Sequence, residues 1–181
     1  MDLDDVLAPV DLKTYLEQNW DGVSRYIPGT RAKFRGLYSI PELFRTLKSA
    51  PESALHITAT CPREAGAPHA SREQIGACDV PDRLRQGATV CVSQVDVADQ
   101  KLKDFAIRVK SSIGYVGETH VNAYLSPPGS GFDAHFDARS IVNLQIAGRK
   151  RWHFEGTPSV RWPAGNALLV KGLVEYCDES P

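Results

Sequence analysis

VNAYLSPPGSGFDAHFDARSIVNLQIAGRKRW (Val121–Trp152) carries a hydrophobic period of two. Val121, Ala123 and Leu125 fall on one side of an extended chain, and Asn122 and Tyr124 on the other. Pro127-Pro128-Gly129-Ser130-Gly131 predicts a turn. Ile141 to Ile146 predicts a further strand, and Gly148 turns the chain into another from Arg149 to Glu155. In that last strand Lys150, Trp152 and Phe154 share a face, and Arg149, Arg151, His153 and Glu155 share the opposite one. The first face holds both aromatics and is expected to be buried.

Two features of this stretch carry chemistry. In an extended chain His135 and Asp137 project from one side, so an imidazole and a carboxylate meet above the sheet. Non-haem iron sites of the two-His-one-carboxylate type need such a pair plus a second His. An H-x-D triplet is also what a surface strand with two polar residues looks like. Lys150 is the second feature. A lysine on an inward, apolar face needs an anion beside it, because a buried ammonium is costly alone. A bound dicarboxylate satisfies that need; so does a structural acid, or a side chain that snorkels to the surface.

Upstream of this stretch the pattern is helical. Asp11 is placed to cap a helix bearing Leu12, Tyr15 and Leu16. Ser39-Ile40-Pro41-Glu42 is a capping box with Pro in the first turn. Tyr26 to Thr30 predicts a strand running into a turn, residues 60–88 predict loop, and Ala88 to Val95 predicts a short strand. Asp96 is expected to cap a helix with an apolar stripe at Ala98, Leu102, Phe105, Ala106 and Val109, ending before Gly114. Helices followed by strands predict an α+β fold on an antiparallel sheet or barrel. The expected division is a helical, loop-rich region over residues 1–86 and a barrel region over 87–181.

Composition excludes several classes. The chain has 181 residues, 42% apolar and 24% charged, with a net charge of −1. That balance gives no overall electrostatic footprint for nucleic acid or anionic membrane. Arg149 and Arg151 are expected to form a solvated basic edge. The four cysteines, Cys61, Cys78, Cys91 and Cys177, show no C-x-x-C spacing. They predict free thiols in a reducing compartment, and Cys61, His69 and Cys78 match no zinc spacing. The acidic start lacks an apolar core, and no run approaches a membrane span. A cytoplasmic location is therefore expected.

The residues Val121 to Trp152 resemble the core signature of the bacterial cupin-like JmjC proteins, which include the ribosomal oxygenases. The resemblance lies in the N-x-Y strand, the S-P-P-G-S-G-F turn, the H-x-D pair, the L-Q-x-x-G segment and the G-R-K-R-W strand. It extends more loosely over residues 12–170. It implies a partial double-stranded β-helix after the N-terminal helices. It also implies an Fe(II)- and 2-oxoglutarate-dependent oxygenase acting on a protein side chain, such as one of a ribosomal protein. By position, His135 and Asp137 would be Fe(II) ligands. Lys150 would hold the distal carboxylate of 2-oxoglutarate, and Asn122 and Tyr124 would line the pocket.

The pattern departs from the family after Trp152. The family's second His follows a P-G-D turn further downstream; here His153 is the last histidine, on the face opposite Lys150. The polar tail from Tyr176 to Pro181 predicts no closing strand. The expectation is a fragment of a longer protein, with two others standing beside it. One is a member that no longer binds metal and serves as a non-catalytic binding module. The other is a ligand supplied by Glu175, Asp178 or a partner chain. A homodimer is expected only if a further C-terminal region exists.

Overall fold

The computed structural model describes residues 1–19, 25–65, 69–136, 140–154, 160–163, 167–171 and 174–178. Five α-helices occur among them: α1 (Leu3–Leu7), α2 (Leu12–Asn19), α3 (Ile40–Ser49), α4 (Val80–Arg85) and α5 (Gln100–Ser112). The strands are β1 (Arg25–Ile27), β2 (His56–Thr60), β3 (Arg72–Gln74), β4 (Thr89–Ser93), β5 (Ala123–Leu125) and β6 (Gly131–Phe136). They continue with β7 (Ser140–Leu144), β8 (Arg149–Phe154), β9 (Val160–Pro163), β10 (Ala167–Lys171) and β11 (Val174–Asp178). All the pairings are antiparallel, in sheets ordered β3-β2-β4-β5, β1-β10-β7 and β6-β11-β8-β9. The fold is α+β, as the sequence predicts.

Local chemistry explains the helix starts. Ser39 caps α3: its Oγ accepts from Glu42 N at 3.3 Å and donates to the Glu42 carboxylate at 2.6 Å. Asp11 Oδ1 accepts from Thr14 N at 2.9 Å at the start of α2. At α5 the expectation needs correcting, because the cap is Asp99 rather than Asp96. Asp99 Oδ1 accepts from both Lys101 N and Leu102 N at 3.1 Å. Gln94 adopts a left-handed conformation (φ 53°), and a short 3-10 turn, Val95–Val97, delays the helix. Asp96 is thereby buried and accepts from Val121 N at 2.7 Å instead.

Two further expectations change. Residues 60–88 hold β3 and α4 as well as loop, because Pro81 sits in the first turn of α4 and starts it. The tail does contribute a strand. β11 lies between β6 and β8, where both of its edges find ladder partners, and this outweighs its polar composition.

The interior is two apolar clusters joined by α5. Leu102 packs with Leu43, Ile57, Val80, Val90 and Val92 beneath the β2-β4 ladder. Phe105 packs with Leu3, Leu7, Tyr15, Ile27 and Phe34. One helical stripe therefore ties the N-terminal helices to the sheet that precedes the site. Val121, Ala123 and Leu125 pack against the first cluster, which turns Tyr124 to the other side of β5.

Candidate functional site

β8 alternates as its sequence predicts. Lys150 is 7% exposed and Trp152 9%, whereas Arg149 is exposed and Arg151 and His153 are half-buried. Lys150 is thus an inward ammonium. Its Nζ donates to Ser126 Oγ at 3.4 Å. The ring centroids of Tyr124, Phe132 and Trp152 lie 5.9, 5.6 and 5.5 Å from it. Ring faces attract a cation but leave its charge uncancelled. Among the described residues no carboxylate pairs with it. An anionic group is the partner this surrounding lacks, and a carboxylate fits it in charge and in hydrogen-bonding.

Behind Ser126 runs a set of hydroxyls that sequence reasoning missed. Thr89 Oγ1 lies 3.2 Å from Ser126 Oγ and 3.3 Å from Ser130 Oγ. Ser130 Oγ in turn donates to the Pro127 carbonyl at 2.7 Å. Thr89 is 1% exposed and stands at the head of β4, before the apolar run Val90 to Val92. The β4–β5 register pairs Val90 with Leu125, so the next step outward brings Thr89 to Ser126. The signal available in the sequence was a hydroxyl at the head of the run TVCV.

β6 brings His135 to the same sheet face as Lys150. In the ladder, His135 stands opposite Glu175, and Glu175 opposite Phe154. Position 154 lies four residues from Lys150 on one strand, so the register carries the Lys150 face across β11 to His135. The same ladder aligns Phe132 with Cys177 and Cys177 with Trp152. β6 spans three residue steps, from Phe132 to His135, where β11 spans two, from Cys177 to Glu175. This extra residue is a bulge that puts Phe132 and His135 on one face despite their odd spacing. Their rings meet edge-on at 6.0 Å, and Phe132 meets Tyr124 edge-on at 5.7 Å. Phe132 therefore links the imidazole to the ammonium.

His135 is exposed, and its Nδ1 lies 2.9 Å from the Asp133 carbonyl. A carbonyl only accepts, so Nδ1 carries the proton and the neutral ring has its lone pair on Nε2. That tautomer, fixed by a backbone acceptor, is the one a metal-ligating histidine uses. Asp137 lies outside the described residues. Among those described, no three His, Cys, Asp or Glu side chains converge. Asn122 immediately precedes β5, and its Oδ1 accepts from Gln94 N at 2.9 Å, bracing the left-handed turn there. No helix among the described residues is long and apolar enough to cross a membrane.

With this geometry in hand, the comparisons with known proteins are informative. Residues 96–166 match the model of the JmjC domain, a span that includes β5 to β8. Among solved structures, the chain is similar to YcfD, a ribosomal oxygenase from Escherichia coli. The TM-score is 0.70 at 16% identity, covering 94% of this chain and 48% of that one. A second structure of Escherichia coli YcfD gives a TM-score of 0.67 at 14% identity, covering 94% and 50%. The chain thus spans about half the length of the solved structures it matches. At these identities the likeness is one of fold. No curated protein matches the chain.

Proposed function

We propose, from the premise that residues 96–166 are a JmjC-type domain on a ribosomal-oxygenase-like fold, that this chain carries part of an Fe(II)- and 2-oxoglutarate-dependent oxygenase site. One observation carries the proposal. The buried Lys150 ammonium shares a sheet face with the His135 imidazole, and among the described residues hydroxyl and rings surround it rather than a carboxylate.

In this reading Lys150 and Ser126 hold the distal carboxylate of 2-oxoglutarate. Phe132 and Trp152 screen that end from water, which strengthens the charge pairing, and the half-exposed Tyr124 lines its mouth. Asn122 lines the approach through its amide. His135, oriented by the Asp133 carbonyl, and Asp137 ligate Fe(II). Bound together, the metal and cosubstrate would supply oxidative chemistry in which dioxygen gives one atom to a C–H bond of the substrate and the other to the succinate formed as 2-oxoglutarate loses carbon dioxide. A further ligand comes from residues beyond this set or from Glu175, which stands opposite His135 in the ladder. The substrate class is a protein side chain, with a ribosomal protein as the leading case by analogy with YcfD. The cytoplasm is the proposed compartment, in keeping with free thiols at Cys61, Cys78 and Cys91.

The test is succinate release from 2-oxoglutarate under oxygen with Fe(II) supplied. Turnover should require Fe(II) and disappear in Asp137→Ala. Turnover unchanged by that substitution contradicts the proposal. Absence of both turnover and Mn(II) binding assigns the chain to a non-catalytic cupin-like module instead.

A further inference from the structure

We propose that the open concavity bordered by α1, the Lys33–Leu37 turn and the outer face of α5 is a binding site for a phosphate group, separate from the Lys150 site. The cavity measures about 390 Å³, and its wall includes Lys33, Arg35, Lys101 and Arg108 with Asp5 as the acid among them. A chain of net charge −1 thus gathers four cations around one concavity.

What distinguishes this group from an ordinary charged surface is how the cations are held. Lys33 Nζ donates to the Ala8 carbonyl at 2.7 Å and lies 5.7 Å from the Phe34 ring centroid. Arg108 Nε donates to the Met1 carbonyl at 3.0 Å. A carbonyl or a ring orients a cation without cancelling its charge. The acids nearby are engaged elsewhere. Asp5 Oδ2 accepts from Asp2 N at 2.9 Å and sits 3.7 Å from the terminal amine, while Glu42 takes Lys101 at 2.9 Å. Lys33 and Arg108 border the space held in place by carbonyls, and the exposed Arg35 beside them adds a further charge that an anion would match.

Burial also holds the Lys33 ammonium below its ordinary pKa, as expected where no counter-charge sits beside it. Guanidinium pairs recognise tetrahedral oxyanions through parallel N–H donors, which favours phosphate over a halide or a lone carboxylate. Gly36 borders the cavity with φ +84°, and a Cβ built there meets nothing within 4 Å, so the wall beside Arg35 stays open. The space accommodates a phosphate ester, whether from a small metabolite or from a nucleic-acid backbone.

Titration of the chain with inorganic pyrophosphate and, separately, with a short single-stranded RNA at low ionic strength tests this. The readouts are the Gly36 and Leu37 amide resonances and calorimetry. Saturable pyrophosphate binding should weaken about tenfold in Arg35→Gln and again in Arg108→Gln. Lys13→Gln, which removes a surface partner of Glu17 at 3.9 Å, should bind as the parent does. RNA binding lost in the same two variants names a nucleic-acid backbone as the source; pyrophosphate binding alone names a small phosphate ester. Non-saturating shifts, or binding indifferent to both arginine substitutions, overturn the proposal. Because Arg35 is exposed, its substitution leaves folding intact and the test readable even if Arg108→Gln destabilises the helix. None of these readouts depends on 2-oxoglutarate, so failure here leaves the oxygenase proposal standing.

Discussion

Ser126 Oγ lies 3.4 Å from the Lys150 ammonium, at the point where a 7%-exposed cation meets the end of a hydroxyl chain. A site built for stability would place a carboxylate or an apolar side chain there. Lys150→Met should therefore leave stability unchanged or raise it by about 1 kcal/mol, since it removes a buried charge that no carboxylate among the described residues compensates. The same substitution should weaken 2-oxoglutarate binding roughly 30-fold, the loss of one charge-assisted contact. Thermal denaturation and calorimetry on the variant check the two halves. A strongly destabilised variant would instead mark Lys150 as a structural residue.

Thr89 joins Ser126 and Ser130 from the head of β4. Thr89→Val keeps the shape and removes the hydroxyl, leaving the two serines short of a buried partner. A loss of about 1–2 kcal/mol in urea unfolding is expected. Ser126→Ala should cost less in the Thr89→Val background than in the parent, because both remove the same contact. Strict additivity would show the hydroxyls to be independent.

Asp99 fixes the start of α5 and also reaches Thr46 Oγ1 at 3.2 Å, coupling α5 to α3. Asp99→Ala should cost about 1–2 kcal/mol, against a few tenths for an exposed helical residue such as Lys103. If α5 instead began at Asp96, Asp99→Ala would behave like the surface control. Chemical denaturation of the two variants separates these outcomes.

Glu42 predicts a pH signature. The Ser39 hydroxyl and then the Lys101 ammonium hold its carboxyl below the ordinary glutamate value of 4.5. A depressed native pKa means that the unfolded chain takes up the proton first as pH falls. The stabilisation is present above pH 4.5 and is lost as pH drops through the native value. Compared with Glu42→Gln, the parent should thus keep a stability advantage near neutrality that shrinks in acid. A gap that stays constant below pH 4.5 would contradict this account.

Much of the fold follows from pattern, and the failures have identifiable causes. The inward placement of Lys150 and Trp152 follows from strand alternation, which holds from Arg149 to His153. The serine cap of α3 is likewise a local signature. Asp96 and Asp99 are both good caps three residues apart, and only the left-handed Gln94 and the turn after it select Asp99. The role of Phe132 was hidden because simple alternation sets it on the face opposite His135. The β6 bulge reverses that, and a bulge depends on the partner strand. β11 was missed for a related reason, since its ladder partners lie far away in the chain. Thr89 and Ser126 meet across strands whose pairing no local pattern reveals.

The account rests on His135 and Lys150 serving one ligand from one sheet face. Calorimetric titration of 2-oxoglutarate into the chain, with and without Mn(II), tests this most directly. The expected result is saturable binding that needs the metal, weakens in Lys150→Met and is lost in His135→Ala. Metal-dependent binding that ignores Lys150, or no difference among the three proteins, would contradict it.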